Sequence, residues 1–194
     1  MIFNHSHLNH IEKNIIHMNH RIRQKKFDLI LERACILNKV EPIEYSIKHG
    51  HQFDYFSCVF PVKYGRLNIL QWMVDHGAEL NTQACNTAAK NGYFDILKWL
   101  RERECPWDEV TCDMAAQNGH LHILKWLREH GCPWHTYACT IAAKNGHLHI
   151  LKWLREHGCP WNDMVFTFTL ITHKLHIAIW ALISKSGVVP YTGQ

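Results

Sequence analysis

The chain has no apolar run approaching the roughly 18 residues that a membrane-spanning helix needs. Its opening stretch, MIFNHSHLNHIEKNIIHMNHRIRQKKF, has no basic start followed by an apolar core. A secretory signal is therefore not expected, and an intracellular, cytoplasmic location is. There is no Gly-rich phosphate loop, no nucleophile elbow and no HExxH. Histidine and cysteine are plentiful, but they recur at regular intervals, whereas an active site needs one special place. The sequence points away from an enzyme and names no catalytic residue. Eight cysteines are present without a CxxC pair. Closed zinc sites usually draw on close ligand pairs, so neither a metal nor another cofactor is expected. The thiols should be free and reduced, as is usual inside cells.

Charge of one sign is also scarce outside one short region. Residues 1–26 hold five basic side chains (Lys13, Arg21, Arg23, Lys25, Lys26) against Glu12, whereas residues 27–194 hold 16 of each sign. The whole net charge of +4 thus belongs to the leader. A nucleic-acid-binding array would carry its own basic stripe, because phosphate neutralisation dominates that affinity. With 47% hydrophobic and 20% charged residues and no low-complexity tract, the chain has the make-up of a folded protein.

What the chain does have is a beat of 27 residues. Trp72, Trp99, Trp126, Trp153 and Trp180 form one column, and Trp107, Trp134 and Trp161 a second. Gly65, Gly92, Gly119 and Gly146 keep the same interval, as do Cys58, Cys85, Cys112 and Cys139, and Cys105, Cys132 and Cys159. Self-similarity at this length marks a stacked array in which no unit buries its apolar face alone. Six units follow: 27–53, 54–80, 81–107, 108–134, 135–161 and 162–188, flanked by the leader 1–26 and a tail 189–194. The end units are degenerate. Tyr45 stands in the tryptophan column of the first, and His173 replaces the turn glycine of the last. The apolar stretch MVFTFTLITHKLHIAIWALI reads as a cap, although its apolar face would equally suit a partner.

The two clearest copies are DEVTCDMAAQNGHLHILKWLREHGCPW at 108–134 and HTYACTIAAKNGHLHILKWLREHGCPW at 135–161. Each splits into two helices. The first starts near Asp108, or near His135 and Thr136, where polar residues can cap free N–H groups, and stops at Asn118-Gly119 or its equivalent. The second spans about 120–130 and ends at Gly131 before Pro133. At about 100° per residue, Leu121, Ile123, Leu124, Trp126 and Leu127 cover well over half its circumference. So wide a buried arc requires neighbours on both sides. Lys125, Arg128, Glu129 and their equivalents read as a mixed-charge solvated face. His120 and His122 lie two apart and do not face one another, so they cannot readily share an ion. His120 and His147 are better placed to satisfy turn or inter-repeat hydrogen bonds.

In the segments AAQNGHLHILKWLREHG and AAKNGHLHILKWLREHG the chain resembles ankyrin-repeat proteins: paired alanines, a turn, Gly-His, an apolar helix and His-Gly. The likeness is strong over 81–161, fair over 54–80 and weak at both ends. It is similar above all to the short, tryptophan-rich ankyrin units of large DNA viruses of protists. The family's Thr-Pro-Leu-His start is replaced by Val110-Thr111-Cys112-Asp113 and by Tyr137-Ala138-Cys139-Thr140. Against the usual period of about 33, six residues are missing per unit. They are missing where ankyrin repeats project a β-hairpin finger. The fold expected is therefore an all-α, ankyrin-like solenoid with shortened or absent fingers. The resemblance implies a monomeric, non-catalytic scaffold that binds a protein through the concave face of its first helices. Where the source is such a virus, the partner would be a host protein.

The two best copies differ at seven positions, and six of these fall at the start of the first helix: Asp108/His135, Glu109/Thr136, Val110/Tyr137, Thr111/Ala138, Asp113/Thr140 and Met114/Ile141. The seventh is Gln117/Lys144. In ankyrin proteins these regions line the partner-contacting surface, so the candidate partner-binding residues are Gln83, Lys90, Glu109, Val110, Gln117, Thr136, Tyr137 and Lys144. Drift after a recent duplication would give the same pattern. Two other functions stay open. The leader, with Arg21-Ile22-Arg23-Gln24-Lys25-Lys26 and five histidines (His5, His7, His10, His17, His20), would suit a nucleic-acid-associated protein. The Cys/His richness would suit a metal- or redox-responsive module. The loop tryptophans Trp107, Trp134 and Trp161 read as scaffold that covers the ground left by the missing finger.

Overall fold

The computed structural model of the chain describes residues 5–185, with side chains from Met18 to Ser184. The expected tail 189–194 and Val188 lie outside the described residues, as do the side chains of His5, His7, His10, Lys13 and His17. Among the described residues there are twelve helices and no strand. The described residues are all-α, made of helix-turn-helix units with no β-hairpin finger among them. Its helices fall into two compact units, one ending at Glu79 and one beginning at Leu80.

The first unit holds α1 (His5–Leu37), α2 (Glu41–Lys48), α3 (Val59–Lys63) and α4 (Leu67–Asp75). Helix α1 passes without a break from the basic leader into the first repeat-like segment. Phe27, Leu31, Ala34 and Cys35 recur at i, i+4, i+7 and i+8, so they share one stripe, and all are buried. Ile43, Val62, Ile69, Leu70 and Met73 complete this core. Glu32 ties α1 to α3 by accepting from the Tyr64 hydroxyl at 2.6 Å and from Lys63 Nζ at 3.0 Å. Those two bonds hold its carboxyl below the usual glutamate range. At the end of α1, Arg66 Nε donates to the Cys35 carbonyl at 2.8 Å. A cation there complements both the free carbonyls and the negative end of the helix dipole.

The second unit holds four helix pairs: α5 (Thr82–Asn91) with α6 (Phe94–Glu102), α7 (Glu109–Gln117) with α8 (Leu121–Glu129), α9 (Thr136–Asn145) with α10 (Leu148–Glu156), and α11 (Met164–Ile171) with α12 (Leu175–Lys185). The first helices pack directly on one another, α5 on α7, α7 on α9 and α9 on α11. Small side chains make this approach possible: Ala84, Cys85, Ala88, Ala89, Cys112, Ala115, Ala116, Cys139, Ala142 and Ala143 are all fully buried. On α8 the wide apolar arc is as the periodicity implies. Ile123, Leu124 and Leu127 are fully buried, while Leu121 and Trp126 form its half-buried edges.

Each repeated residue type has a distinct physical task. The thiols of Cys105, Cys132 and Cys159 donate to the carbonyls of Asn81, Asp108 and His135 at 3.2, 3.3 and 3.4 Å. They tie the loop after each second helix to the start of the first helix of the same unit. Cys85, Cys112 and Cys139 hydrogen-bond in turn to those sulfurs, and with burial this pushes all three thiols well above their ordinary range. All eight cysteines are buried.

The Gly-His dipeptide joins one unit to the next. His120 Nε2 donates to the Lys90 carbonyl at 3.1 Å, and His147 Nε2 to the Gln117 carbonyl at 3.0 Å. The imidazole lies against the turn glycine of the preceding unit. A Cβ on Gly119 (φ +84°) would sit 3.0 Å from the His147 ring. Both the left-handed backbone and the close approach therefore call for glycine.

Candidate functional site

Unit by unit, the second-helix edge carries a fixed aromatic ladder. The Arg101, Arg128 and Arg155 guanidinium groups lie 4.3, 4.3 and 4.8 Å from the Trp107, Trp134 and Trp161 ring centroids. Those loop rings meet Trp126, Trp153 and Trp180 of the following unit edge-on, at 5.9, 5.8 and 6.1 Å. Trp126 and Trp153 in turn stack on His130 and His157 at 4.3 Å. These histidines donate Nδ1–H to the Trp126 and Trp153 carbonyls at 2.8 Å and so close the second helices. The arginine column is thus a stacking partner of the loop tryptophans rather than a plain solvated row. The sequence reading missed this, although the constant six-residue gap from Arg128 to Trp134 and its repeats signalled it.

The first-helix edge is different. Its start is set by the residue before each helix: Asn81 accepts from Ala84 N at 3.2 Å and Asp108 accepts from Val110 N at 3.1 Å. His135 makes no such cap, so the expected polar start of α9 is not a side-chain cap. All eight candidate residues lie in the first or last turns of α5, α7 and α9 as exposed or half-buried side chains. Gln83, Lys90, Glu109 and Lys144 are exposed, Gln117 and Thr136 half-buried, and Tyr137 is 47% exposed. The eighth, Val110, is 38% exposed. The backbone beneath Lys90 and Gln117 is pinned by the His120 and His147 bonds, which leaves those side chains to project from a fixed frame. Lys144 does more than project, since its ammonium lies 5.6 Å from the Phe168 ring centroid of the next unit.

Five other variable side chains turn inward. Thr111, Asp113, Ala138, Thr140 and Ile141 are buried. Some of the variation between the two best copies is therefore a matter of packing between units. Thr111 Oγ1 donates to Asn86 Oδ1 at 2.6 Å, across the α5–α7 joint. Asp113 stands one period after Asn86, and Ala138 one period after Thr111. The hydroxyl that would satisfy the second joint is absent, and Asp113 Oδ1 is buried without a hydrogen bond. His135 Nδ1 lies 3.7 Å from it. Burial pushes the Asp113 carboxyl up to about 6, with His135 pulling it down and Glu109 and Asp108 adding to the rise. Asp113 and His135 are the functional candidates that the sequence reading passed over, and comparing Asn86/Thr111 with Asp113/Ala138 would have exposed them.

At the far end, α11 and α12 expose Met164, Leu170, Ile171, Leu175, Ile179 and Leu182. Ile171 stands in the column of Gln117 and Lys144, and Ile179 in that of Lys125 and Lys152. This unit is therefore apolar even at positions where the interior units are polar. Among the described residues, no group of three or more His, Cys, Asp or Glu side chains could hold a metal ion. No helix there is long and apolar enough to cross a membrane.

Stacked helix pairs, joined by buried small residues and presenting a variable edge, define a helical-repeat module. Residues 56–101 and 112–155 match the family model described as ankyrin repeats (many copies). Over these residues the chain is similar to ankyrin repeats, which generally mediate protein–protein interaction in proteins that are typically non-catalytic scaffolds. No curated protein matches the chain.

Proposed function

We propose that this protein is a non-catalytic, monomeric scaffold that binds a partner protein through the edge formed by the first helices of residues 81–161. Gln83, Lys90, Glu109, Val110, Gln117, Thr136, Tyr137 and Lys144 make the contacts. The carrying observation is the split between two edges of the same units. The second-helix edge repeats one aromatic ladder, while the first-helix edge changes charge and shape from unit to unit on a pinned backbone. Exposed Tyr137 adds an aromatic of the kind enriched at binding hot spots. In this reading residues 1–26 are a basic leader, 27–188 the array and 189–194 a tail, in a cytoplasmic protein. The similarity to viral units makes a host protein the partner to seek.

The test is an affinity capture comparing wild type with a Tyr137→Ala/Lys144→Ala double variant, followed by direct binding of each captured protein to both. Loss of a stoichiometric partner with the double variant is the expected result. Partners retained equally by both would sink the assignment of this face.

A further inference from the structure

We propose that Asp113 is the anchor for a cationic side chain, lysine or arginine, of the partner protein; this rests on the reading of the first-helix edge as the binding face.

The inference starts from two consecutive joints of one array. At the α5–α7 joint, Asn86 is buried and accepts the Thr111 hydroxyl at 2.6 Å. At the α7–α9 joint the corresponding pair is Asp113 and Ala138. An amide with a donor has been exchanged for a carboxylate without one. Thr140, the other buried hydroxyl nearby in sequence, donates to its own Thr136 carbonyl at 3.2 Å. Asp113 is only 3% exposed, and its Oδ1 has no hydrogen-bond partner. A buried carboxylate in that condition is costly, and a charge-assisted hydrogen bond from a guanidinium or ammonium relieves the cost.

The surroundings select a cation. His135 Nδ1, at 3.7 Å, is beyond hydrogen-bonding distance, and its side chain is 49% exposed. Asp108 and Glu109, one turn or so before Asp113 on the same helix, add negative charge. The Tyr137 ring lies 6.2 Å from the His135 ring and offers an aromatic face to a cation that displaces the imidazole. Arginine fits best, because its planar fork can bond a carboxylate while stacking on an aromatic ring.

The test uses the full chain, isotope-labelled for NMR, titrated with acetyl-Ala-Arg-Ala-amide and with the same tripeptide carrying neutral citrulline. The arginine peptide should shift the backbone amides of residues 109–113 and 135–137 in a saturable way, and the citrulline peptide should not. Asp113→Asn should weaken the arginine peptide by roughly tenfold or more. Ala138→Thr supplies the hydroxyl found at the other joint and keeps the charge, so it should weaken binding severalfold. Equal response to both peptides, no response up to about 10 mM peptide, or unchanged affinity in both variants would overturn the inference. If Tyr137→Ala weakens the arginine peptide while Asp113→Asn and Ala138→Thr do not, the binding face stands and the anchor falls. Shifts confined to other parts of the chain would remove both.

Discussion

The two edges of the units in 81–161 are built from the same repeats yet obey opposite rules. Along the second-helix edge, arginine, loop tryptophan, helix tryptophan and histidine recur with ring distances that vary by a few tenths of an ångström. Along the first-helix edge, Val110 becomes Tyr137, Gln117 becomes Lys144 and Glu109 becomes Thr136 within a single period. The first helices meet through alanine and cysteine, which leaves their exposed turns without a packing duty. The second helices and their loops meet through bulky rings, where any change alters a joint. In the proposed reading, stability and recognition are thereby placed on different sides of one frame.

The comparison breaks most visibly at the ladder. Trp126→Ala should lower unfolding free energy by about 2–3 kcal/mol in urea melts, since Trp126 contacts Trp107, Phe94 and His130. Lys125→Ala, on the same helix, should stay within about 0.5 kcal/mol, and equal effects would remove the structural distinction.

The joint at Asp113 should move stability the other way. Asp113→Asn combined with Ala138→Thr copies the Asn86–Thr111 pair and should stabilise the chain by about 1–3 kcal/mol at pH 8. The pH dependence has a definite sign. Asp113 is raised from 3.8 to about 6, so the folded state holds its proton more tightly than the unfolded one. That favourable contribution is complete below about 3.8 and is lost as pH rises through 6. The advantage of the double variant should therefore grow between pH 4 and 6 and then level off; a flat difference across that window would show that Asp113 is not titrating there.

Gly119→Ala should cost about 1–2 kcal/mol for its left-handed backbone, with a further loss from the His147 ring 3.0 Å away. Gly131→Ala shares the positive φ but meets nothing within 4 Å, so it should cost less. The smallest effect on stability belongs to the variable edge. Tyr137→Ala/Lys144→Ala should change the melting midpoint by no more than about 0.5 kcal/mol allows, while abolishing partner binding.

Much of this architecture was legible because a period repeats its environment. The column of His120 and His147 implied bonds between units, and Gly131 before Pro133 implied the helix stop at Glu129. The inward or outward direction of the variable residues was not legible, because Thr111 and Val110 are adjacent and their burial depends on the neighbouring helix. The continuity of α1 through the junction at residue 26 was equally hidden, since a change in charge does not require a change in backbone.

What the sequence determined by itself was the repeating frame: helix lengths, stops and the residues that recur come from local periodicity, capping and turn chemistry, which act within one unit. What the tertiary structure decided was the pairing between units, where the Arg128 group finds the Trp134 ring and Asp113 finds no donor. Such pairings depend on two units meeting in space, and a one-residue difference such as Thr111 against Ala138 acquires its meaning only across that joint.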